Sequence, residues 1–253
     1  MDWDVWSGVH FIINPISGQF STQKEMDWTI DTHVLYADDA LLVVNKPAGL
    51  LSLPDGYHPD LPHLRSVLEP QFGRLWIVHR LDKETSGVVL LARSQDAHRA
   101  LNDAFASRAT IKTYHALVIG EPTWQQQTVD LPLLPDGDRR HRTIVHIERG
   151  KASITRLHVM ERFRSYTLIK AMPKTGRTHQ IRAHLAALGF PIAADTLYGD
   201  RSSSAALPID RLGLHARSIQ IVHPTVHQEM CFDAPYPQDF QAALRNLGKR
   251  ETK

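Results

Sequence analysis

The chain of 253 residues contains a single cysteine, Cys231. That excludes a disulfide within the chain and any zinc or iron–sulfur site built from several cysteines. No run approaches the roughly 18 uninterrupted apolar residues of a membrane helix, so no membrane partner is expected. The opening residues, Met1-Asp2-Trp3-Asp4-Val5-Trp6, lack the basic and apolar regions of a secretory signal. A cytoplasmic protein is therefore the expectation. The sequences G-x-G-x-x-G and Walker A are missing too, which argues against a nucleotide cofactor. A surplus of one charge sign is also lacking: 29 Lys and Arg against 27 Asp and Glu leave a formal net charge of +2. Nucleic-acid binders usually show a clear basic excess, so this average alone speaks against one.

What is present sharpens the picture. An apolar fraction of 42% with 22% charged residues excludes global disorder and supports a sizeable core. The length suits one large domain, or one with a short appendage. The charge is unevenly spread. Residues 1–39 hold seven acids against one base, Lys24, a net of −6, which leaves +8 for residues 40–253. Residues 1–30 show no sustained periodicity and read as an acidic extension, followed by one folded domain over 31–253. Fifteen histidines invite a metal reading, but spacing does not support it. His223 and His227 are separated by Pro224, and His179/His184 and His58/His63 are five apart, so none forms a helical His-x-x-x-His pair. No metal site is expected.

The elements are clearly punctuated. Leu41-Leu42-Val43-Val44 reads as a buried strand running into the turn Asn45-Lys46-Pro47-Ala48-Gly49. Val88-Val89-Leu90-Leu91 is a second such run. Ser94 offers an N-cap for a helix with Ala97, Leu101, Ala104 and Phe105 on one face. Residues 114–119 alternate as a strand stopped by Gly120-Glu121-Pro122, and strand-like stretches follow near 152–161 and 165–172. Asp136 to Arg142 is a charged loop. Thr178 is expected to start a helix with Ile181, Leu185 and Leu188 on one side, ended by Gly189 and Pro191. Residues 214–222 alternate again, and Gln238 to Leu247 suits a short terminal helix. Strands dominate, and no repeat or βαβ rhythm is visible, so an α+β domain on a largely antiparallel sheet is expected.

Two charged segments stand out. His79-Arg80-Leu81-Asp82-Lys83-Glu84-Thr85-Ser86-Gly87 lies between apolar runs and places Asp82 where a rigid sheet could present it to a cleft. A solvated turn with a capping carboxylate has the same pattern. Lys174-Thr175-Gly176-Arg177-Thr178-His179-Gln180-Ile181-Arg182 is a donor-rich loop entering a helix. Its Arg182 could pair with a carboxylate or phosphate, and the helix N-terminus favours anions. An ordinary polar helix face reads the same way.

With these segments the chain resembles the RluA-type pseudouridine synthases. The matching stretches are Val43 to Leu50; His79-Arg80-Leu81-Asp82 with Thr85-Ser86-Gly87; Lys112-Thr113-Tyr114 with Ala116; Pro173 to His184 with Gly189-Phe190-Pro191-Ile192; and Leu214-His215-Ala216 with His223-Pro224. Their order and spacing agree over roughly residues 31–235. The resemblance implies the pseudouridine synthase fold, a mixed, largely antiparallel sheet flanked by helices. It also implies isomerisation of a uridine in RNA, the uracil being detached from C1′ through N1 and rejoined through C5. Asp82 matches the catalytic aspartate, acting at C1′ or on the uracil ring. Arg182 matches its basic partner, Tyr114 the active-site tyrosine, and Arg80 the arginine that fills the space of the displaced base. His79, Leu81, Thr85, Lys174, Gly176, Arg177, Thr178 and His179 fall within the same motifs as substrate-binding residues. The target uridine must leave its stack, at a cost of a few kcal/mol, within a folded loop of ribosomal or transfer RNA. By composition, Arg139, Arg140, Arg142, Lys174 and Arg177 would meet phosphates. No cofactor is implied, and a monomer is expected. The extra N-terminal RNA-binding S4 domain of many relatives has no room in the 30 leading residues.

Two other readings are compatible with the pattern. One is an RNA-binding protein that keeps the fold without the reaction, against which the intact Asp82, Tyr114 and Arg182 set stands. The other is a hydrolase with a carboxylate nucleophile, which needs a second acid at a fixed separation, with Glu84 the nearest candidate.

Overall fold

The computed structural model describes residues 33–199 and 208–248. The acidic extension lies outside the described residues. The first strands are β1 (Val34–Ala37), β2 (Leu41–Lys46), β3 (Trp76–Ile77) and β4 (Ser86–Ala92). Next come β5 (Ile111–Ile119), β6 (Gln126–Asp130), β7 (Leu133–Leu134) and β8 (Ile144–Val145). The last are β9 (Ile154–Phe163), β10 (Tyr166–Pro173), β11 (Leu214–Val222) and β12 (Glu229–Asp233). The helices are α1 (Leu64–Phe72), α2 (Gln95–Ala106), α3 (Gln180–Ala187) and α4 (Gln238–Gly248). One mixed sheet runs β1-β2-β4-β11-β5-β10-β9-β6, with β3 added to β4 and β12 to β11, while β7 and β8 form a separate hairpin.

The apolar runs account for the centre of this sheet. All seven residues of β4 are buried, as continuous apolar runs are when both faces are covered. One face of the β2–β4 region packs with Leu64, Leu68 and Leu101 in a first buried cluster. Ile181 and Leu185 of α3 join a second beneath β5 and β10, and Phe240 and Ala243 of α4 a third. Ser94 caps α2 as expected, its side chain accepting from the Ala97 N–H at 3.2 Å.

The parallel pairing in the sheet is β4 with β11, matching Ser86 to His215 and Gly87 to Ala216. Gly87 makes it possible. A Cβ at this position would lie 2.2 Å from the Ala216 carbonyl oxygen, and φ is +119°, where L side chains are strained. Across the sheet Gly87, Ala216, Tyr114 and Ala171 then form one row on four adjacent strands. The two charged segments attach at the ends of this row, one just before Gly87 and one just after Ala171, with Tyr114 between them.

Some elements differ from expectation. The helix expected from Thr178 begins at Gln180, because His179 adopts a left-handed conformation (φ 52°, ψ 21°) that interrupts the turn. The alternation over 214–222 changes phase from Leu214 and Ala216 to Ile219 and Ile221. An irregularity in the β11–β5 register between Ala216 and Ser218 absorbs that extra residue. Helix α1 is not anticipated. It holds Pro70 in its last turn, where a ring without N–H is normally a stop signal, and His63 supplies a capping box with Ser66.

Candidate active site

A cleft of about 560 Å³ opens between the two charged loops. All twelve expected site residues line it: His79, Arg80, Leu81, Asp82 and Thr85 from the first loop, Tyr114 from β5, and Lys174, Gly176, Arg177, Thr178, His179 and Arg182 from the second loop and α3. Phe105, Arg108 and Lys112 complete one wall. Arg139, Arg140 and Arg142 do not line it. They lie in the β7–β8 connection, where Arg142 pairs with Asp138 at 2.7 Å and Arg140 donates to the Thr196 carbonyl.

The first loop is held from beneath by the turn that follows β2. Ser52 Oγ donates to the Leu81 carbonyl at 2.8 Å and accepts the Leu81 N–H at 3.1 Å. The Gly49 N–H donates to the Lys83 carbonyl at 2.8 Å. Lys46 is fully buried, and its Nζ donates to the carbonyls of Pro47, Leu50 and Lys83 at 2.8, 2.8 and 3.1 Å. Burial pushes its pKa down to about 7, against the opposing pull of Glu84 and Asp82. The loop's other end is pinned by His79, whose Nε2 accepts the Leu90 N–H at 3.0 Å while its ring stacks on Phe105. Burial, with Lys112 nearby, takes the His79 pKa down to about 3, so the ring is a neutral acceptor that anchors the loop.

Gln180 organises the second loop. Its Oε1 accepts from Thr175 Oγ1 at 2.7 Å and the Arg177 N–H at 3.1 Å, while Nε2 donates to the Ile154 carbonyl and Thr155 Oγ1. Arg177 also rests on the Ala152 carbonyl. Arg182 is buried rather than displayed on a polar helix face. Its Nε and Nη2 form a two-pronged bond with Asp195, both at 2.8 Å, and its remaining Nη1 reaches Asp82 Oδ2 at 3.4 Å. Asp195 in turn accepts the N–H groups of Leu197 and Tyr198 at 3.0 Å each. Burial opposes the charge of Arg182, but the Asp195 contact and then Asp82 outweigh it and raise its pKa.

Asp82 is the one carboxylate lining the cleft among the described residues. Both close neighbours approach the same oxygen, Arg182 Nη1 at 3.4 Å and His179 Nε2 at 3.6 Å from Oδ2. Tyr114 faces the same cleft. Burial first, and then the charge of Asp82, raise its pKa, so the phenol stays protonated at neutral pH. Arg80 is exposed and forms no hydrogen bond or ion pair with the described residues, and it also borders a smaller neighbouring hollow with Tyr57 and Lys83. Glu84 does not line the cleft, and Asp195 lies behind Arg182. Among the described residues, therefore, no two-carboxylate hydrolytic site is assembled in the cleft.

The cleft brings together a carboxylate, a fixed guanidinium, a protonated tyrosine and a basic rim, and comparison with known proteins decides the family. The model of the RNA pseudouridylate synthase family matches residues 40–187. This chain belongs to that family. The synthase is 39% identical over 240 residues to ribosomal large subunit pseudouridine synthase C of Haemophilus ducreyi, covering 92% of this chain and 73% of that one. It is 38% identical over 203 residues to the dual-specificity RNA pseudouridine synthase RluA of Pasteurella multocida, covering 80% of this chain and 92% of the relative. Among solved structures it resembles human RNA pseudouridylate synthase domain containing 4, with a TM-score of 0.70, 26% identity, and coverage of 85% of this chain and 93% of that one. The protein is thus an RNA pseudouridine synthase.

Several residues that shape the synthase's site are not apparent from sequence as site residues. Lys46 and Ser52 act on the backbone of the Asp82 loop, and Asp195 and Tyr198 act on side chains facing Asp82. The available signal for Asp195 is an isolated acid directly after the apolar Pro191-Ile192-Ala193-Ala194, where burial demands a cationic partner.

Proposed function

We propose that the enzyme isomerises uridines in ribosomal RNA, with Asp82 as nucleophile on a uridine flipped out of its stack. The C1′–N1 bond breaks, the uracil turns, and C1′–C5 forms, while C5 loses a proton and N1 gains one; the bond that Asp82 makes, to C1′ or to the uracil ring, breaks again before the product leaves. The observation that carries this reading is the lone carboxylate of the cleft, with Arg182 beside one of its oxygens. Desolvated walls around such a group strengthen its interaction with the reacting carbon. The raised pKa of Tyr114 favours a neutral phenol stacking on the base over a phenolate removing the C5 proton. Arg80, unengaged at the rim, would enter the space left by the flipped base, and Lys174 and Arg177 would meet phosphates.

The ribosomal substrate is supported by the names of the relatives, and a ribosomal RNA substrate would place the enzyme in the cytoplasm. Transfer RNA, which the motif resemblance also implies, stays in the test panel. We read residues 31–253 as one catalytic domain, since one continuous sheet joins ten of the twelve described strands, and we propose that it acts as a monomer. Asp82→Asn is expected to lower single-turnover formation of pseudouridine by on the order of a thousandfold or more while RNA binding persists. Nucleoside analysis of RNA incubated with each protein checks this, and turnover retained by the variant refutes it. Mapping pseudouridine in ribosomal and transfer RNA from cells with and without the gene identifies the substrate.

A further inference from the structure

His179 keeps a left-handed backbone conformation (φ 52°), which is strained for a residue with a side chain. Its ring sits between two groups. Nδ1 is 3.2 Å from the Tyr198 hydroxyl, whose ring it meets edge-on, and Nε2 is 3.6 Å from Asp82 Oδ2. The Tyr198 oxygen has another partner, for the Thr143 N–H donates to it at 2.9 Å. A backbone N–H can only donate, so the phenol oxygen serves as acceptor there and its own proton is left for His179 Nδ1. A neutral imidazole that accepts at Nδ1 carries its proton at Nε2. That N–H then points at Asp82. Burial lowers the pKa of His179, more than Asp82 raises it, which favours the neutral ring.

Arg182 Nη1 approaches the same Oδ2 at 3.4 Å. Neither contact is short, but catalytic hydrogen bonds are often long before substrate arrives and tighten afterwards. We propose that Tyr198 sets the tautomer of His179, so that the His179 Nε2–H and Arg182 together hold Oδ2 and leave Oδ1 of Asp82 to meet the substrate. This rests on the reading of Asp82 as nucleophile, and it makes His179 and Tyr198 positioning residues rather than groups that bind the RNA.

The tautomer is measurable without substrate. Nitrogen-15 NMR of the full chain labelled at histidine, with His179 assigned by its loss in His179→Gln, is expected to show the Nε2–H form at mildly alkaline pH. In Tyr198→Phe, which removes one oxygen, the signal should move towards a mixture of tautomers. Single-turnover rate should fall about tenfold, the equivalent of one hydrogen bond, with RNA affinity unchanged. An Nδ1–H tautomer in the unmodified chain overturns the proposal, as does a Tyr198→Phe protein whose tautomer and rate are both unaltered. If the unmodified chain makes no pseudouridine on any RNA, the nucleophile reading fails, whereas the NMR result stands or falls separately.

Discussion

Lys46 is fully buried, and its Nζ is surrounded by three backbone carbonyls, one of them that of Lys83, next to Asp82. Its pKa of about 7, against 10.5 for a free lysine, links loop position to pH. Between those values the unfolded chain binds a proton that the folded chain does not, so this residue makes stability rise with pH over that window. Below about pH 7 both states hold the proton, and the cost of burying the ammonium is present in full. The unfolding free energy of the native chain minus that of Lys46→Met should therefore increase from about pH 7 to 10, by up to about 1.4 kcal/mol per unit. Urea titrations of both proteins across that range check it, and a flat difference contradicts the assignment. Asp195 illustrates the complementary case at this scale. By binding Nε and Nη2 of Arg182 it leaves Nη1 facing Asp82, so the guanidinium is fixed in orientation by a carboxylate that does not line the cleft.

Among the elements, the β4–β11 seam depends most sharply on one position. In Gly87→Ala the added carbon would meet the Ala216 backbone at 2.2–2.7 Å, in a conformation that alanine avoids. The atoms met are backbone rather than the end of a flexible side chain, so a loss on the order of 3 kcal/mol or more is expected, read from the urea midpoint. A variant with an unchanged midpoint would mean that the seam can separate without cost. The same element shows what sequence can convey. Val88 to Leu91 announce a buried strand by composition, and Ser94 announces the helix after it, because both signals are local. The bulge in β11 and the start of α3 are not local. The first is set by the register against β5, and the second by His179 lying between Tyr198 and Asp82. Helix α1 is hidden by Pro70, tolerated because a capping box and the buried Leu64 and Leu68 hold it. The cleft itself follows the motifs closely, since Asp82, Tyr114 and Arg182 lie in segments whose order is visible. Lys46, Ser52 and Tyr198 are legible only in three dimensions, where burial decides which atoms they meet, and Asp195 offers the sequence only its isolation after an apolar run.

For the molecule as a whole, a formal charge of +2 understates the part that faces RNA, because the 39 leading residues hold −6 and the remainder +8. Arg80, Arg108, Lys112, Lys174 and Arg177 border the cleft, with Asp82 as the opposing acid. RNA affinity should consequently fall on the order of 50–500-fold between about 50 and 200 mM salt, as for four or five phosphate contacts. Asp82→Asn should give the same slope. Fluorescence anisotropy with a labelled stem-loop measures both, and affinity independent of salt would remove the electrostatic account.

The row through Gly87, Ala216 and Tyr114 also dictates the order of assembly. Strands β4 and β5 are close in sequence yet do not touch; β11, made some 100 residues later, is inserted between them. Asp82 and Tyr114 therefore acquire their mutual distance only when this late strand enters. The seam is sealed by a buried contact between Ser86 Oγ and His215 Nδ1 at 2.9 Å, spanning 129 positions of the chain. Pairings of such separation form slowly. During synthesis, then, the half of the chain carrying Asp82 can collapse early, but the sheet that joins Asp82 to Tyr114 is complete only once β11 has been made.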